Sequence, residues 1–523
     1  MANKNLFATT GGKLAAETDA RNEAGGRAYA LTPKQALAQY AATGCLNGTF
    51  YASAEEQLEK VLGFCASVDD LFIARTAIYS RERGFMKDML ALLCAVLAVR
   101  NAPLLEAIFP RVIDNGKMLR TFVQILRSGV AGRKSLGTAP RRMIRRWLEA
   151  ATGEALFRAS VGQSPSLKDV IRMVHPKPAD DARRALYGYL IGRPYDAEKL
   201  PPIVREYEAF KRGGGERVPD VPFQMLTALP LDTAAWMEIA RNAPWQMTRM
   251  NLRTFQRHGV FANEEVTKMI AERLADPEAI AKARVFPYQL LAAYLSAKEV
   301  PAIVREALQD AMELATANVP AIEGQVYVCP DVSGSMAETP VTGARGSASS
   351  AGRCIAVAAL IAASVVRRNP GARVLPFEMR VVDVEVNPRD SVMTNAAKLA
   401  AAGGGGTACS APLARLNQQM ASGDLVILIS DNEAWADPQR GRGTEMMKEW
   451  NHFKQRNPNA RLVCIDLQPY RTTQAQERED VLNIGGFSDE VFTTVAEFAA
   501  GRLASGHWIE VIESIALAES AVA

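Results

Sequence analysis

The sequence predicts a two-part protein, in which an all-α region precedes an α/β region with a mainly parallel sheet. Apolar residues recur at helical spacing from about residue 33, and short β-branched runs alternate with helical segments after Gly324. At 523 residues, the chain is also too long for one compact core. We therefore predict an N-terminal arm at residues 1–32, a helical domain at 33–324 and an α/β domain at 325–523.

The helical domain consists of consecutive amphipathic segments separated by Gly and Pro, which interrupt helices. Its clearest predicted helices are Ala54–Ser67, Met86–Val99, Pro103–Phe109, Met118–Ser128, Met143–Ala151 and Pro301–Ala317. Helix pairs at intervals of roughly 40 residues suit a HEAT-like solenoid. Because no clear sequence repeat accompanies them, we favour an irregular helical array.

The α/β domain shows strands and helices in alternation. The predicted strands are Gln325–Pro330, Arg373–Phe377, Val381–Val386, Asp424–Ser430, Arg461–Leu467 and Glu490–Thr494. The predicted helices are Ser349–Arg368, Ser391–Ala402, Ala411–Met420, Glu445–Gln455 and Val495–Ser514. Such alternation favours a parallel sheet with helices on both faces, and in such sheets ligands bind at the carboxyl ends of strands.

Polar residues in three segments are expected to meet at that edge of the sheet. They belong to a D-x-S-x-S loop after the first strand, a glycine-rich loop, and the end of the strand at 424–430. The candidate ligands are Asp331, Ser333, Ser335, Thr407 and Asp431. Carboxylate and hydroxyl oxygens are hard ligands of the kind that Mg²⁺ prefers. With few direct carboxylates, one bound Mg²⁺ would stay electrophilic and could accept a further carboxylate from a partner.

Two alternatives to a metal site remain open. Ser-Gly-Ser after Asp also forms ordinary turns, so the D-x-S-x-S pattern alone is a weak signal. The run Gly403–Gly406 could instead cradle a phosphate, but it lacks the G-K-[ST] ending of a P-loop.

The densest charged feature of the helical domain is basic. It comprises Arg127, Arg133, Lys134, Arg141, Arg142, Arg145 and Arg146, and no acidic residue occurs between Asp114 and Glu149. Such a cluster can neutralise several phosphates, which would make nucleic-acid binding depend on salt. A solvated helix face is the alternative, and the lack of acidic neighbours in the sequence argues against it.

Further candidate RNA contacts are scattered along the helical domain. His175 and Lys177 lie in a Pro-stiffened segment, where imidazole can stack on bases and ammonium can meet phosphate. A single loop histidine more often makes only local hydrogen bonds. Weaker candidates are Arg253, Lys282 and Arg284.

Charge is distributed unevenly along the chain, with a net +8 before residue 325 and −4 from there onward. This difference suggests an anionic partner for the helical domain. The seven cysteines form no C-x-x-C pair and only four histidines occur, which argues for reduced thiols and against a zinc site. Because no signal-peptide or membrane-spanning pattern is evident, we expect a cytoplasmic protein.

A basic helical domain followed by this metal motif resembles the Ro autoantigen family of TROVE-domain ribonucleoproteins, especially its bacterial members. The resemblance covers nearly the whole chain. The segments that carry it are Thr43–Tyr51, Val174–Pro178, Lys282–Leu291, Asp331–Ser335, Gly405–Thr407 and Ser430–Glu433.

The resemblance implies a HEAT-like helical ring and a von Willebrand factor A domain with a metal-ion-dependent adhesion site. The five candidate ligands match that metal motif fully, and His175 matches an RNA-contacting position. The range Arg127–Arg146 covers the corresponding RNA-binding region, although its side chains cannot be matched individually. Ser160–Gln163 stands where animal relatives are more basic, which leaves the detailed mode of RNA contact open.

The partners implied by the resemblance are RNAs and a nuclease. Small structured non-coding Y-like RNAs would bind the outer basic surface, and single-stranded 3′ ends of misfolded RNAs would enter the ring. An exoribonuclease such as polynucleotide phosphorylase would join the protein in RNA quality control. We therefore expect a non-catalytic, monomeric RNA-binding scaffold.

Two rival hypotheses belong to other functional classes. In the first, the protein is a metal-dependent protein-interaction adaptor that grips a partner carboxylate, and RNA binding is incidental. In the second, it is a metal-dependent nuclease or phosphatase. Such enzymes usually have carboxylate-rich, often two-metal sites with a poised base, and no nearby histidine is evident in the sequence.

Overall fold

The structure is a computed structural model that describes residues 16–43, 53–83, 88–213, 217–283, 287–316, 319–341, 352–438, 442–468, 470–486, 489–503 and 507–517. The chain forms two compact units. The A-domain unit contains the described parts of Met1–Ser67, Arg284–Leu295 and Gln309–Glu513. The helical unit contains those of Val68–Ala283, Ser296–Leu308 and Ser514–Ala523. These units do not follow the predicted boundaries at residues 32 and 324.

The strands are β1 (Ala20–Arg21), β2 (Arg27–Ala30), β3 (Val326–Pro330), β4 (Arg373–Val374), β5 (Leu425–Ser430), β6 (Arg461–Asp466), β7 (Thr472–Thr473) and β8 (Val481–Gly485). The helices are α1 (Pro33–Thr43), α2 (Ala54–Ser67), α3 (Asp70–Glu82), α4 (Asp88–Arg100), α5 (Ala102–Val112), α6 (Gly116–Ser128), α7 (Thr138–Ala150), α8 (Gly153–Ala159), α9 (Leu167–Val174), α10 (Asp181–Ile191), α11 (Pro202–Lys211), α12 (Phe223–Leu226), α13 (Thr233–Asn242), α14 (Trp245–Met250), α15 (Leu252–Arg257), α16 (Glu264–Leu274), α17 (Pro277–Ala283), α18 (Pro287–Ser296), α19 (Ala302–Thr316), α20 (Gly334–Glu338), α21 (Cys354–Arg368), α22 (Val392–Ala400), α23 (Ala411–Gln418), α24 (Glu445–Arg456), α25 (Asp489–Ala499) and α26 (His507–Glu513).

A five-stranded sheet with the order β4-β3-β5-β6-β8 forms the centre of the A-domain unit. All of its strands are parallel. Strands β3, β5 and β8 are buried along their whole length, as strands covered by helices on both faces must be. Their registers pair Pro330 with Ile429 and Ser430 with Asp466, which brings the carboxyl ends of β3, β5 and β6 together. The predicted fold class is confirmed.

Two predicted strands of this domain are wrong, and two strands were missed. Val381–Val386 forms only an isolated bridge to Phe377. Glu490–Thr494 lies within α25, because Val491, Val495 and Phe498 are buried at helical spacing. The missed strands are β7, which has only two residues, and β8, whose apolar run is short and is interrupted by Asn483. The predicted helix Val495–Ser514 corresponds to parts of α25 and α26.

The described N-terminal residues belong to the A-domain unit. Strands β1, β2 and β7 form a small antiparallel sheet, in which Tyr29 pairs with Thr473 and Ala30 with Thr472. Helix α1 then packs against β8 and α26. Because these contacts tie residues 20–43 to the A-domain strands, the first helix of the predicted helical domain lies in the other unit.

The helical unit is built around α4, in which ten consecutive residues from Met89 to Ala98 are buried. Helices α3, α5 and α6 pack against it. Side-chain caps define the neighbouring helix starts, since Asn101 accepts from the Leu104 amide and Asn115 from the Met118 amide. The all-α prediction is confirmed, whereas a HEAT-like repeat stays a prediction. Among the described residues, no helix is both long and apolar enough to cross a membrane.

Candidate metal centre and basic surface

Asp331 and Asp431 lie at the carboxyl ends of neighbouring parallel strands. Asp331 directly follows β3 and its amide donates to the carbonyl of Ile429 in β5, at 2.9 Å. Asp431 directly follows β5. Both side chains are buried, with 0% and 1% of their surface exposed. The strand register therefore places two carboxyl groups together away from bulk water.

Hydrogen bonds hold the Asp331 carboxylate in place. Its Oδ1 accepts from the amide of Ser333 at 2.8 Å, and its Oδ2 accepts from the hydroxyl of Ser430 at 2.5 Å. The hydroxyl oxygens of Ser333 and Ser335 lie 3.2 Å apart. All three serines are buried. The D-x-S-x-S loop thus gathers hydroxyl oxygens beside a fixed carboxylate.

The glycine-rich loop lies directly against this first loop. The amide of Gly404 donates to the carbonyl of Val332 at 2.9 Å, and the amide of Gly334 donates to the carbonyl of Gly405 at 2.8 Å. Gly403 has a φ of +81°, and a Cβ there would collide with Val332. The close approach therefore requires glycine. Thr407 follows in the same loop and is 1% exposed.

Four buried carboxyl groups in this region have raised pKa values. Burial, and then the charge of Asp431, raise the pKa of Asp331 to about 7. Burial raises the pKa of Asp431, although the neighbouring Ser335 hydroxyl opposes the shift. Burial followed by Asp431 raises the pKa of Glu433 to about 9 and that of Asp466 well above its usual range. A cation would relieve this concentration of negative charge.

The donor set fits a hard divalent cation. Within the described residues, no group of three or more His, Cys, Asp or Glu side chains is arranged to hold a metal ion, so a cation here would also need hydroxyl ligands. Asp431 Oδ2 is buried without a hydrogen-bond partner, which leaves a carboxyl oxygen available as a ligand. Two carboxylates with neutral hydroxyls are typical ligands of Mg²⁺.

Asp466 was missed by sequence reasoning, although the rule that predicted Asp431 applies to it. It ends β6, the strand next to β5, and one of its oxygens accepts from the side-chain amide of Gln39 in α1 at 2.8 Å. Glu433 accepts from the amide of Ala24 at 3.0 Å. The N-terminal segment thus contributes partners to the buried acids around the candidate centre, which no sequence pattern indicated.

In the helical unit, α6, α7 and α9 form one basic surface. A guanidinium nitrogen of Arg127 lies 3.3 Å from the sulfur of Met173, which links α6 to α9. Arg145 of α7 donates to the carbonyl of Val174. His175 follows immediately, exposed and in the left-handed region with a φ of 50°. The structure therefore brings the predicted cluster and the His175 loop together.

The basic side chains of this surface differ in whether they already have a hydrogen-bond or ion-pair partner. Lys134, Arg141 and Lys177 are exposed, and their side chains form no hydrogen bond or ion pair with another described residue. Arg133 instead donates to the carbonyl of Leu136 at 2.8 Å and shapes the loop before α7. Three cations thus remain available for an external anion.

The argument from missing acidic neighbours was wrong for two of the arginines. Glu106 in α5 lies outside the acid-free stretch of sequence, yet it pairs with Arg142 at 2.7 Å and with Arg146 at 2.5 Å. Hydrogen bonding from Arg142 is the main cause of the lowered pKa of Glu106. The packing of α5 against α7 supplied this partner, and the spacing of charged residues along the sequence does not predict that packing.

The weaker candidates do not join this surface through any hydrogen bond or ion pair among the described residues. Arg253 in α15 and Lys282 in α17 are both exposed. Arg284 lies outside the described residues, as do residues 44–51 of the segment that resembles the Ro family.

Comparison with known proteins decides the family. A sequence model of the Ro60 vWA domain matches residues 325–499, and one of the TROVE domain matches residues 224–321. The RNA-binding protein RO60 of Deinococcus radiodurans is 25% identical over 528 residues, which cover 93% of this chain and 96% of that protein. The chain belongs to the Ro60 family. The crystal structure of the RO (RSR) protein of D. radiodurans shares the fold, with a TM-score of 0.59 and 22% identity over 90% of this chain and 100% of that one.

The family matches cover the two candidate sites differently. The Ro60 vWA match includes Asp331, Ser333, Ser335, Thr407 and Asp431. The basic surface of α6, α7 and α9 precedes residue 224, where the TROVE match begins. Membership in the family therefore bears more directly on the metal centre than on the individual RNA contacts.

Proposed function

We propose that this protein is a non-catalytic RNA-binding scaffold, with RNA on its helical unit and a cation-dependent docking site in its A domain. The observation that carries this proposal is the basic surface, where Lys134, Arg141 and Lys177 have no acidic partner among the described residues. The name of the D. radiodurans relative as an RNA-binding protein supports it. Phosphate contacts of this kind give affinity without base specificity.

The more specific parts of the proposal concern partners. The RNA would be a small structured non-coding, Y-like RNA, and single-stranded ends of misfolded RNAs would form a second class of ligand. An exoribonuclease such as polynucleotide phosphorylase would act with the scaffold in RNA quality control or decay. The family resemblance supports these roles, together with a monomeric scaffold in the cytoplasm.

The A domain would bind Mg²⁺ through Asp331, Ser333, Ser335, Thr407 and Asp431. When bound, the cation supplies a Lewis-acidic position that can take an oxygen ligand. The buried strand-end aspartates would hold it, and the serine hydroxyls would provide neutral ligands. The unpartnered Asp431 Oδ2 supports this assignment.

Salt-dependent filter binding of a structured RNA tests the RNA proposal. The variant Lys134→Glu/Arg141→Glu reverses two free charges, so we expect roughly tenfold or weaker binding and a salt slope reduced by about two. The matched control is Arg184→Glu/Lys268→Glu, which reverses two exposed charges elsewhere in the helical unit. An RNA affinity that does not depend on salt concentration, or an equal loss of affinity in both variants, would exclude the basic surface as the RNA site.

A second candidate function is a metal-dependent protein-interaction adaptor. Trp435 and Met379 are large apolar side chains that remain 47% and 59% exposed. Trp435 packs against Gly406, where a Cβ would meet its ring at 2.5 Å. Exposed apolar groups beside the candidate centre suit a protein partner that supplies a carboxylate. Purification without any co-purifying small RNA would favour this adaptor.

A further inference from the structure

A cavity of about 690 Å³ lies at the amino-terminal edge of the parallel sheet, at the opposite ends of the strands from the candidate metal centre. It is bounded by α24, the loop before β6, the segment before β8 and the end of α25. Its volume falls within the range of about 300–1,000 Å³ that is usual for small-molecule sites. The polar side chains that bear on its chemistry are Lys454, Gln455, Asn459, Arg461, Arg478 and Asp480.

Arg461 presents a fixed guanidinium group to this cavity. Its guanidinium carbon lies 4.9 Å from the ring centroid of Phe498, a distance at which cation–π attraction holds the group over the ring. The side chain of Arg461 forms no hydrogen bond or ion pair with any other described residue. A guanidinium stacked in this way keeps its in-plane N–H donors for an external acceptor.

Lys454 adds a second positive charge. Its ammonium donates to the carbonyl of Ala460 at 2.6 Å and lies 4.0 Å from a carboxylate oxygen of Asp480. Burial lowers its pKa, only partly opposed by the charge of Asp480, so the ammonium is incompletely compensated. An anion bound in the cavity would complete that compensation.

Asp480 does not neutralise the cavity, because its carboxylate is already engaged. Arg478 donates to both of its oxygens, at 2.9 and 2.8 Å, and the indole of Trp450 donates to one of them at 3.0 Å. The other carboxylate of the lining, Glu479, is exposed at the rim. The charge of Arg461 therefore remains available, and Asp480 compensates that of Lys454 only in part.

Two side-chain amides complete the polar lining. Gln455 and Asn459 are exposed, and neither side chain hydrogen-bonds to another described residue. Amides offer donors and acceptors together, so they suit the hydroxyl or base groups of an organic ligand. A cavity of this size also exceeds what a single inorganic ion needs.

We propose that this cavity binds a small phosphate ester of mononucleotide size, with its phosphate against Arg461 and Lys454. A phosphate monoester carries about −1.5 to −2 charges near pH 7, which matches Arg461 together with the incompletely compensated Lys454 better than one carboxylate does. Guanidinium groups also bind phosphate oxygens in a bidentate manner. Gln455 and Asn459 contact the remainder of the ligand.

Calorimetric titration of the full-length chain with adenosine 5′-monophosphate tests the proposal, with adenosine and inorganic phosphate as comparison probes. Arg461→Gln should weaken binding by about tenfold or more, since it removes charge-assisted hydrogen bonds. Asn459→Asp should weaken it as well, because it adds a negative charge at an exposed position without disturbing the core. Arg415→Gln is the matched control, a half-buried arginine of the same domain outside the cavity.

Weaker binding of the monophosphate by both cavity variants, with the affinity of Arg415→Gln unchanged, would support the site. The proposal fails if the wild type does not bind the monophosphate, if adenosine binds equally well, or if the control loses as much affinity. Inorganic phosphate that binds as tightly as the monophosphate would overturn the assignment of an organic ester.

Discussion

The candidate metal centre and the basic surface of the helical unit are built in contrasting ways. The metal centre gathers buried residues at the ends of adjacent strands, where backbone register fixes Asp331 beside Asp431. The basic surface gathers exposed side chains on three separate helices, and two of its arginines are paired with Glu106. The order of the strands thus positions side chains that can be recognised in the sequence. Helix packing, in contrast, decides which surface charges remain without a partner.

The largest expected effect concerns the metal centre. Magnesium at 100 times its Kd should stabilise the wild-type fold by about 2.7 kcal/mol, and Asp331→Ala should abolish that increment. The measurement is thermal unfolding in Mg²⁺ and in EDTA. Asp383→Ala, at a side chain that is 91% exposed, should keep the increment and serves as control. An equal response of Asp331→Ala and wild type would show that this site holds no cation.

The attachment of the N-terminal segment to the A-domain unit can be broken at Gly26. A Cβ there would collide with the backbone carbonyl of Ala434, so Gly26→Ala should destabilise the fold by about 1–3 kcal/mol. Gly63→Ala is the control, because a Cβ there meets no described atom within 4 Å and alanine favours helix α2. Denaturant unfolding measures both, and equal stabilities would contradict the close contact.

The titration of Asp331 should make the cation-free protein sensitive to pH. Its pKa is raised from 3.8 in the unfolded chain to about 7 in the folded protein. Its contribution to stability is therefore complete below pH 3.8 and is lost as the pH rises from there through 7. In EDTA, the free energy of unfolding should fall with a contribution of up to about 1.4 kcal/mol per pH unit in that window. Mg²⁺ should offset this fall, because the cation replaces the proton.

Asp331→Asn provides the comparison for this pH dependence. The amide cannot titrate in this range, so the variant should lose the part of the slope that comes from Asp331 and keep the part from Asp431 and Glu433. Thermal unfolding in EDTA across about pH 5 to 8 gives both slopes. Identical slopes in variant and wild type would assign the titration to other groups.

The smallest expected effect concerns the two arginines of the basic surface that pair with Glu106. Glu106→Gln should release Arg142 and Arg146, so RNA should bind about two- to fivefold more tightly, with a steeper dependence on salt. Glu272→Gln removes an equal charge from an exposed, loosely paired position in α16 and serves as control. Affinity that is unchanged by Glu106→Gln would place these two arginines outside the RNA contact.

The sequence predicted the fold class and the meeting of the metal-motif segments because both follow local rules. Short buried runs that alternate with helices specify a parallel sheet, and residues after adjacent strands must meet at one edge. The same rules failed at Glu490–Thr494, where a β-branched run lies in α25 because its buried residues have helical spacing.

By itself, the sequence determined the two-part architecture, the strand-end position of Asp331 and Asp431, and the basic character of the α6–α7 region. Only the tertiary structure decided that Glu106 occupies two of the arginines, that Gln39 and Ala24 supply partners to buried acids, and that Arg461 faces a cavity without an acidic partner. The reason is physical: periodicity and strand order act between neighbours along the chain. Charge compensation instead depends on which distant side chains packing brings within a few ångströms.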